Sequence, residues 1–488
     1  MTYNHPMPPT RFACLAFALS SVVARCQTTA DHIHAVETGL GPSVAITGQP
    51  PDRRNLLDEM QRLHVPAVSI AVIHDGKIEW AKGYGVQSEG GAPVTPDTLF
   101  QAASISKSLA AMAALHLVEQ GKLSLDAPIQ SELKSWTLPQ NALTAKTPVT
   151  LRELLSHTAG TSVHGFPGYP AGEPVPTLIQ VLNGAKPANT APILVEIAPG
   201  TEFRYSGGGF TIVQQAIIDV TGKPFPEIMK SIVLDPIGLH ASAYQQPIDP
   251  ALLPNVAMPV DAEGKPIPGG PHTYPELAAA GLWTTPSDLA RWLIEMQQSL
   301  AGKASHVLSA AMTRTMLTPV KDGYALGVGI QQTAGKSSFS HSGANEGYRC
   351  IYFAYENTGD GAVVMTNGDN GGQIDSEVMA SISHAYGWPD FAPIERTLAT
   401  VPFAQQTQFI GKFRAKDAFP FAIASAADHL ELSIAGDPPL KLFPSSPTSF
   451  FTTEGNLQMT FETPDHGFFT FGEQKLAFER AKNPEHKP

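Results

Sequence analysis

Residues 100–121 read FQAASISKSLAAMAALHLVEQG, and the rest of the chain is best read outward from them. Leu109, Met112, Ala113, Leu115, Leu117 and Val118 predict a helix that is apolar on nearly every side, the pattern of a buried central helix. Gly121 closes it. Ser104 and Lys107 stand three apart, so on a helix they share one face. Ser104 then falls in the first turn, where free N–H groups and the positive end of the dipole lie. A serine hydroxyl attacks poorly unaided. A lysine that has given up its proton can accept the serine's, and neighbouring N–H groups can hold the oxyanion that follows attack. Taken alone, the pair reads first as a capping serine followed by a solvated lysine, because this spacing recurs by chance in any long chain.

On the N-terminal side, Leu56, Leu57, Met60 and Leu63 have helical spacing up to Pro66. Residues 67–73 then read as a strand, 74–76 as a hairpin turn and 77–86 as the returning strand. On the C-terminal side, EFRYSGGG at 202–209 leads into a helical run through Ile212, Val213, Ala216, Ile217 and Val220 that ends at Gly222. Ser287 or Asp288 opens a further helix with Leu289, Trp292, Leu293 and Met296 on one face. Strands are expected at 324–332, 337–342, 348–355 and 362–367, and a helix at 373–386.

With these pieces in order, Ser104-Ile105-Ser106-Lys107 resembles the first signature of the serine β-lactamase and penicillin-binding protein superfamily. The resemblance is to the branch of class C β-lactamases, D-aminopeptidases, DD-peptidases and related esterases. Tyr205 takes the tyrosine position of its Y-x-N signature, with Gly207 where asparagine is expected. His341-Ser342-Gly343-Ala344 resembles the third signature in its H-x-G form, and LRELLSHTAG at 151–160 resembles a passage of the helical domain beside the cleft. The resemblance runs from about Leu56 to Trp388.

The resemblance implies an α+β fold: an antiparallel sheet flanked by helices, with an inserted helical domain and the active site between the two. It also implies a mechanism in which Ser104 attacks a carbonyl, Lys107 and Tyr205 move the proton, and the N–H groups of Ser104 and Ala344 stabilise the oxyanion. Gly343 would let substrate lie along the strand past Ser342 like an added strand. His341, in the lysine position, would face the cleft and donate to a substrate oxygen or leaving group, with less fixed positive charge than lysine. Gly207 removes the amide that could hold an acyl-amide carbonyl. That puts an esterase or D-amino-acid peptidase ahead of an efficient β-lactamase.

Composition bounds the alternatives. Lys+Arg 32 against Asp+Glu 44 gives a net charge of -12, which excludes an obvious nucleic-acid partner. A short apolar run at 12–24 after Arg11 reads as a signal peptide covering 1–24, too short for a transmembrane span, so a periplasmic or secreted protein is expected. Arg25 argues against a lipid anchor on Cys26. Cys14, Cys26 and Cys350 are too few for a disulfide framework. His157 and His164 lack a third metal ligand at recognisable spacing, and His157 reads as a hydrogen-bonded structural histidine. No cofactor or metal is implied.

The expected organisation is a flexible leader at 25–50, a hydrolase domain at 51–390, a linker at 391–405 and a small C-terminal β-barrel-like domain at 406–488. The expected ligand is a small molecule or a peptide, with a peptidoglycan-derived ligand among the candidates. The rival readings are a β-lactamase, a non-catalytic penicillin- or peptidoglycan-binding protein and, more weakly, a metal-dependent hydrolase.

Overall fold

The computed structural model describes residues 28–303, 305–416, 419–434, 439–471 and 474–481; the expected signal peptide at 1–24 and Cys26 lie outside them. A six-stranded antiparallel sheet runs, edge to edge, through Lys77–Gly85, Ala67–His74, Gly361–Thr366, Tyr348–Tyr355, Lys336–Asn345 and Gly329–Thr333. Its two faces are both covered, which is why Ala67–His74 is buried at every position but the last and its sequence is apolar up to His74 except at Ser69. Val68, Ile70 and Val72 pack with Ile374, Val378 and Ile382 of helix Gly371–Tyr386 on one face. Ala67, Ala71 and Ile73 belong to the larger core on the other face, shared with helices Ser106–Glu119 and Pro286–Leu300.

Helix Ser106–Glu119 lies inside that second core, with eleven of its residues, Ser106 to Leu115 and Leu117, buried. Burying one leucine contributes about 1.5–3 kcal/mol, so the run of apolar side chains holds the helix rigidly enough to carry a buried lysine. The surrounding helices, among them Leu151–Leu155, Gly207–Thr221 and Leu277–Ala280, share its core, so the expected helical insertion packs directly on the nucleophile helix. Helix Pro286–Leu300 is capped by Thr285, whose side chain accepts from Asp288 N–H, rather than by Ser287 or Asp288. The expected strand at 324–332 is shorter, Gly329–Thr333, with residues 324–328 forming a turn ahead of it.

The stretch expected to be a loose leader is ordered. Thr28 and Asp31 form a reciprocal cap on helix Thr29–Thr38, and Val36 is fully buried in the core beneath helix Gly371–Tyr386. Val44–Ile46 then pairs in parallel with Ile394–Arg396, inside the stretch expected to be a linker. The C-terminal strands form a closed eight-stranded barrel, Gly411–Ala415 pairing back to Gln474–Arg480. Its strands include Gly411–Ala415 and the three-residue Ser449–Phe451. Phe409, Phe413, Phe421, Phe450, Phe461, Phe469 and Phe478 fill its separate core. Among the described residues no helix is long and apolar enough to cross a membrane.

Candidate active site

Ser104 sits not inside an α-helix but in the 3-10 turn Ala103–Ile105 that feeds helix Ser106–Glu119. Ala103 holds φ at +46°, a left-handed conformation costly for a residue with a β-carbon and one that clusters at functional sites. Two serines lie close together here, and their environments differ. Ser106 is fully buried, donating to Ala103 O at 2.5 Å and accepting from Leu282 N–H, whereas Ser104 is half-buried. Lys107 is buried to 2% exposure, with Nζ 2.9 Å from Ser104 Oγ and 2.8 Å from Ala279 O. The Ala279 carbonyl accepts a hydrogen bond from Lys107 and fixes Nζ beside the serine hydroxyl.

Tyr205 precedes helix Gly207–Thr221, whose cap is Ser206. Lys107 Nζ lies 5.1 Å from the Tyr205 ring centre, and the rings of His157 and His164 flank the phenol at 4.2 and 5.0 Å. The first N–H groups of this helix are already occupied: Gly207 donates to His164 O, Gly208 to Val163 O and Gly209 to Ser206 Oγ. The helix start is therefore no oxyanion site. A β-carbon on Gly207 would lie 2.9 Å from Phe166 Cε2 and 3.2 Å from His164 O, so the volume of the missing asparagine is filled by the ring of Phe166. Nothing in the spacing of the chain pointed to Phe166.

His157 is buried as expected and accepts from Ser206 N–H through Nδ1 at 3.1 Å, but its Nε2 is buried without a partner. His164 is exposed, and among the described residues no cluster of three ligating side chains could hold a metal ion.

Strand Lys336–Asn345 alternates across the site: His341, Gly343 and Asn345 are buried, Ser342 and Ala344 exposed. Its neighbour Gly329–Thr333 pairs only as far as Ser340, so His341 to Asn345 has a strand partner on one side alone. Gly343 meets the turn that carries Ser104. A β-carbon there would lie 2.3 Å from Ala102 O, so the space at this glycine belongs first to the protein's own backbone and not, as expected, to substrate alone.

His341 also differs from expectation. Ser342 O can only accept, so Nδ1, 2.6 Å away, carries the proton; Nε2, 3.0 Å from the Tyr324 hydroxyl, is the acceptor. Neither nitrogen is free to donate into the cleft. Burial, helped by the Lys107 charge, pushes His341 down to about 4, so the ring is neutral near pH 7. Tyr324, unmarked in the sequence except as the start of an expected strand, thus belongs to the site. Its ring packs 4.9 Å from His157 and 5.5 Å from Phe203, and burial pushes its phenol well above the ordinary range.

An antiparallel sheet covered by helices on both faces, with a serine in the turn before the buried helix, a lysine in that helix, a tyrosine over the lysine and a half-paired strand alongside, is the arrangement found in the Beta-lactamase class of hydrolases. The chain belongs to the Beta-lactamase family, whose match spans residues 53–383. It is similar to Penicillin-binding protein 4 of Amycolatopsis lactamdurans, 26% identical over 328 residues, covering 62% of this chain and 81% of that protein. It is also similar to Esterase EstB of Burkholderia gladioli, 31% identical over 195 residues, covering 38% of this chain but only 48% of the esterase. Among solved structures, the octameric penicillin-binding protein homologue from Pyrococcus abyssi shares the fold: TM-score 0.59, 22% identity, 87% of this chain and 98% of that one.

Proposed function

We propose that this family member is an exported serine hydrolase that cleaves an ester or an amide through an acyl-enzyme on Ser104, with an esterase or D-amino-acid peptidase ahead of a β-lactamase. The observation that carries this reading is the buried Lys107 Nζ, 2.9 Å from Ser104 Oγ and anchored on Ala279 O. In the proposed reaction Lys107, in its neutral form, takes the Ser104 proton as Oγ adds to the carbonyl. The oxyanion is held by the N–H groups of Ser104 and Ala344, and Tyr205 hands the proton to the leaving group. Water then attacks the acyl-enzyme and releases the acid.

Esterase EstB and Penicillin-binding protein 4 mark the two sides of the substrate question by their names. Two features favour the ester. Phe166 fills the place where an amide would hold an acyl-amide carbonyl, and the neutral, fully engaged His341 offers no fixed charge for a substrate carboxylate. A peptidoglycan-derived D-peptide remains the candidate peptide substrate. The apolar run at 12–24 supports a periplasmic or secreted location.

The test is intact-protein mass and turnover, for wild type and Ser104→Ala, after mixing with an activated short-chain ester and separately with a penicillin. An adduct or fast ester turnover lost in the variant is the expected result. A stable penicillin adduct without ester turnover points to a penicillin-binding protein instead, and no adduct with no turnover in either protein overturns the acyl-enzyme reading.

A further inference from the structure

Three contacts of one buried histidine converge on Tyr205. His157 O accepts the N–H of Arg204 at 2.8 Å, His157 Nδ1 accepts the N–H of Ser206 at 3.1 Å, and the imidazole ring lies 4.2 Å from the Tyr205 ring at a tilt of 37°. The backbone N–H groups of the residues before and after Tyr205 are thus tied to one residue, and that residue also walls one face of the phenol. His157 adopts φ of +58° while doing so, a conformation unusual for histidine that the neighbouring packing must enforce.

The ring is also held neutral. Ser206 N–H donates to Nδ1, so that nitrogen bears no proton and the proton of the neutral ring is on Nε2. Burial, and then the charge of Lys107, push His157 well below the ordinary range. Nε2 has no hydrogen-bond partner, so nothing in its own satisfaction explains why a histidine occupies this place. The two nitrogens are unequal in use, and the one in use serves the segment carrying Tyr205.

We infer that His157 is a positioning residue for Tyr205, fixing the phenol over Lys107 by clasping the backbone on either side of it. The clasp explains how a tyrosine in a loop, ahead of its helix rather than within it, holds the orientation that proton transfer to a leaving group requires. This rests on Tyr205 acting as that proton carrier.

The test compares two esters with the same acyl group, p-nitrophenyl butyrate, whose leaving group departs without protonation, and ethyl butyrate, whose leaving group needs a proton. The variants are Tyr205→Phe, His157→Leu, His157→Asn and His157→Gln. Asparagine tolerates a left-handed backbone and presents an acceptor where Nδ1 stands, whereas glutamine reaches towards Nε2.

Expected is a selective loss in His157→Leu, with kcat for the ethyl ester falling at least ~10-fold more than for the p-nitrophenyl ester, as general-acid contributions of that order allow. KM should change little, Tyr205→Phe should show the same selectivity, and His157→Asn should recover most of it. Should His157→Leu not fold, the comparison of His157→Asn with His157→Gln carries the test, the asparagine variant being the more active on the ethyl ester. Equal losses on both esters in His157→Leu, or equal activities of the asparagine and glutamine variants, overturn the inference and leave His157 as packing. A Tyr205→Phe variant that treats both esters alike, while Ser104→Ala abolishes turnover, overturns the role of Tyr205 itself.

Discussion

Gly343 stands so close to Ala103 that a β-carbon added to the glycine would lie 3.0 Å from the alanine's own β-carbon. The same added atom would lie 2.7 Å from Cys350 Sγ, and Cys350 Sγ itself donates to Ala102 O at 3.1 Å. The strand that borders the cleft and the turn that carries Ser104 are therefore set against one another by direct backbone contact.

Gly343→Ala should push these two pieces apart. Overpacking at such a contact costs about 1–3 kcal/mol, and a displacement near 1 Å at a nucleophile lowers rate by about two orders of magnitude. Thermal unfolding and ester turnover measured together check this. A variant as active as wild type would show that the strand and the turn tolerate separation.

Acid should destabilise the fold through His341. Its pKa is lowered to about 4 in the folded state from an ordinary 6.5, so the unfolded chain binds more protons between those values. The stability tied to its neutral form is complete above about pH 6.5 and declines as pH falls towards 4, with a ceiling of about 3 kcal/mol. His157, lowered by burial, acts in the same direction. Denaturant unfolding of wild type and His341→Asn at pH 7, 5.5 and 4.5 should show the wild type losing more; parallel losses would remove His341 from this account.

Glu276 should act with the opposite sign. It is fully buried, neither carboxyl oxygen meets another residue's hydrogen-bonding group, and burial raises it to about 8. The folded state holds its proton where the unfolded chain has lost it, so the contribution is complete below about pH 4.5 and is lost as pH rises towards 8. Glu276→Gln should therefore be more stable than wild type at pH 8.5 by more than about 1 kcal/mol, with the gap closing at pH 5. A gap that does not vary with pH would mean that the carboxyl does not titrate in this range.

Gly207→Asn alone should be poorly tolerated, because its β-carbon meets Phe166. Coupled with Phe166→Ala, the asparagine gains room. The double variant should raise the ratio of β-lactam to ester turnover at least ~10-fold over wild type, an effect of the size one well-placed hydrogen bond supplies. Nitrocefin and p-nitrophenyl butyrate measure that ratio, and an unchanged ratio would show that the filled volume at Phe166 does not set substrate preference.

The parts of this site legible in the sequence are those carried by local pattern. Ser104 and Lys107 lie within one turn of each other, Tyr205 opens a helix, and His341 to Ala344 lies in an alternating strand. Tyr324 reaches His341 across a separation of 17 residues, and Phe166 reaches Gly207 through a loop without periodicity, so neither contact leaves a local trace. His341 was legible as a position but not as a bonding state, because the Ser342 carbonyl and Tyr324 hydroxyl that occupy it depend on how the strand and the preceding turn meet. In helix Thr29–Thr38 the capping pair Thr28 and Asp31 is visible, yet TADHIHAVET has few apolar residues, and the helix owes its place to the face of Gly371–Tyr386 beneath it. The barrel strand Ser449–Phe451 is three residues long, too short to alternate visibly.

The parallel pairing of Val44–Ile46 with Ile394–Arg396 joins segments about 350 residues apart, and Val44 N–H also reaches Thr453 O of the barrel. During synthesis Val44–Ile46 must wait for residues 394–396 to be made before its partner strand exists. All six strands of the main sheet and helix Ser106–Glu119 precede residue 394 in the chain, so they can gather before this pairing closes. Removal of residues 28–46 would leave the Ser104 turn intact but would strip a helix from the back of the sheet and loosen the barrel, so damage there should surface as a short-lived enzyme rather than an inactive one.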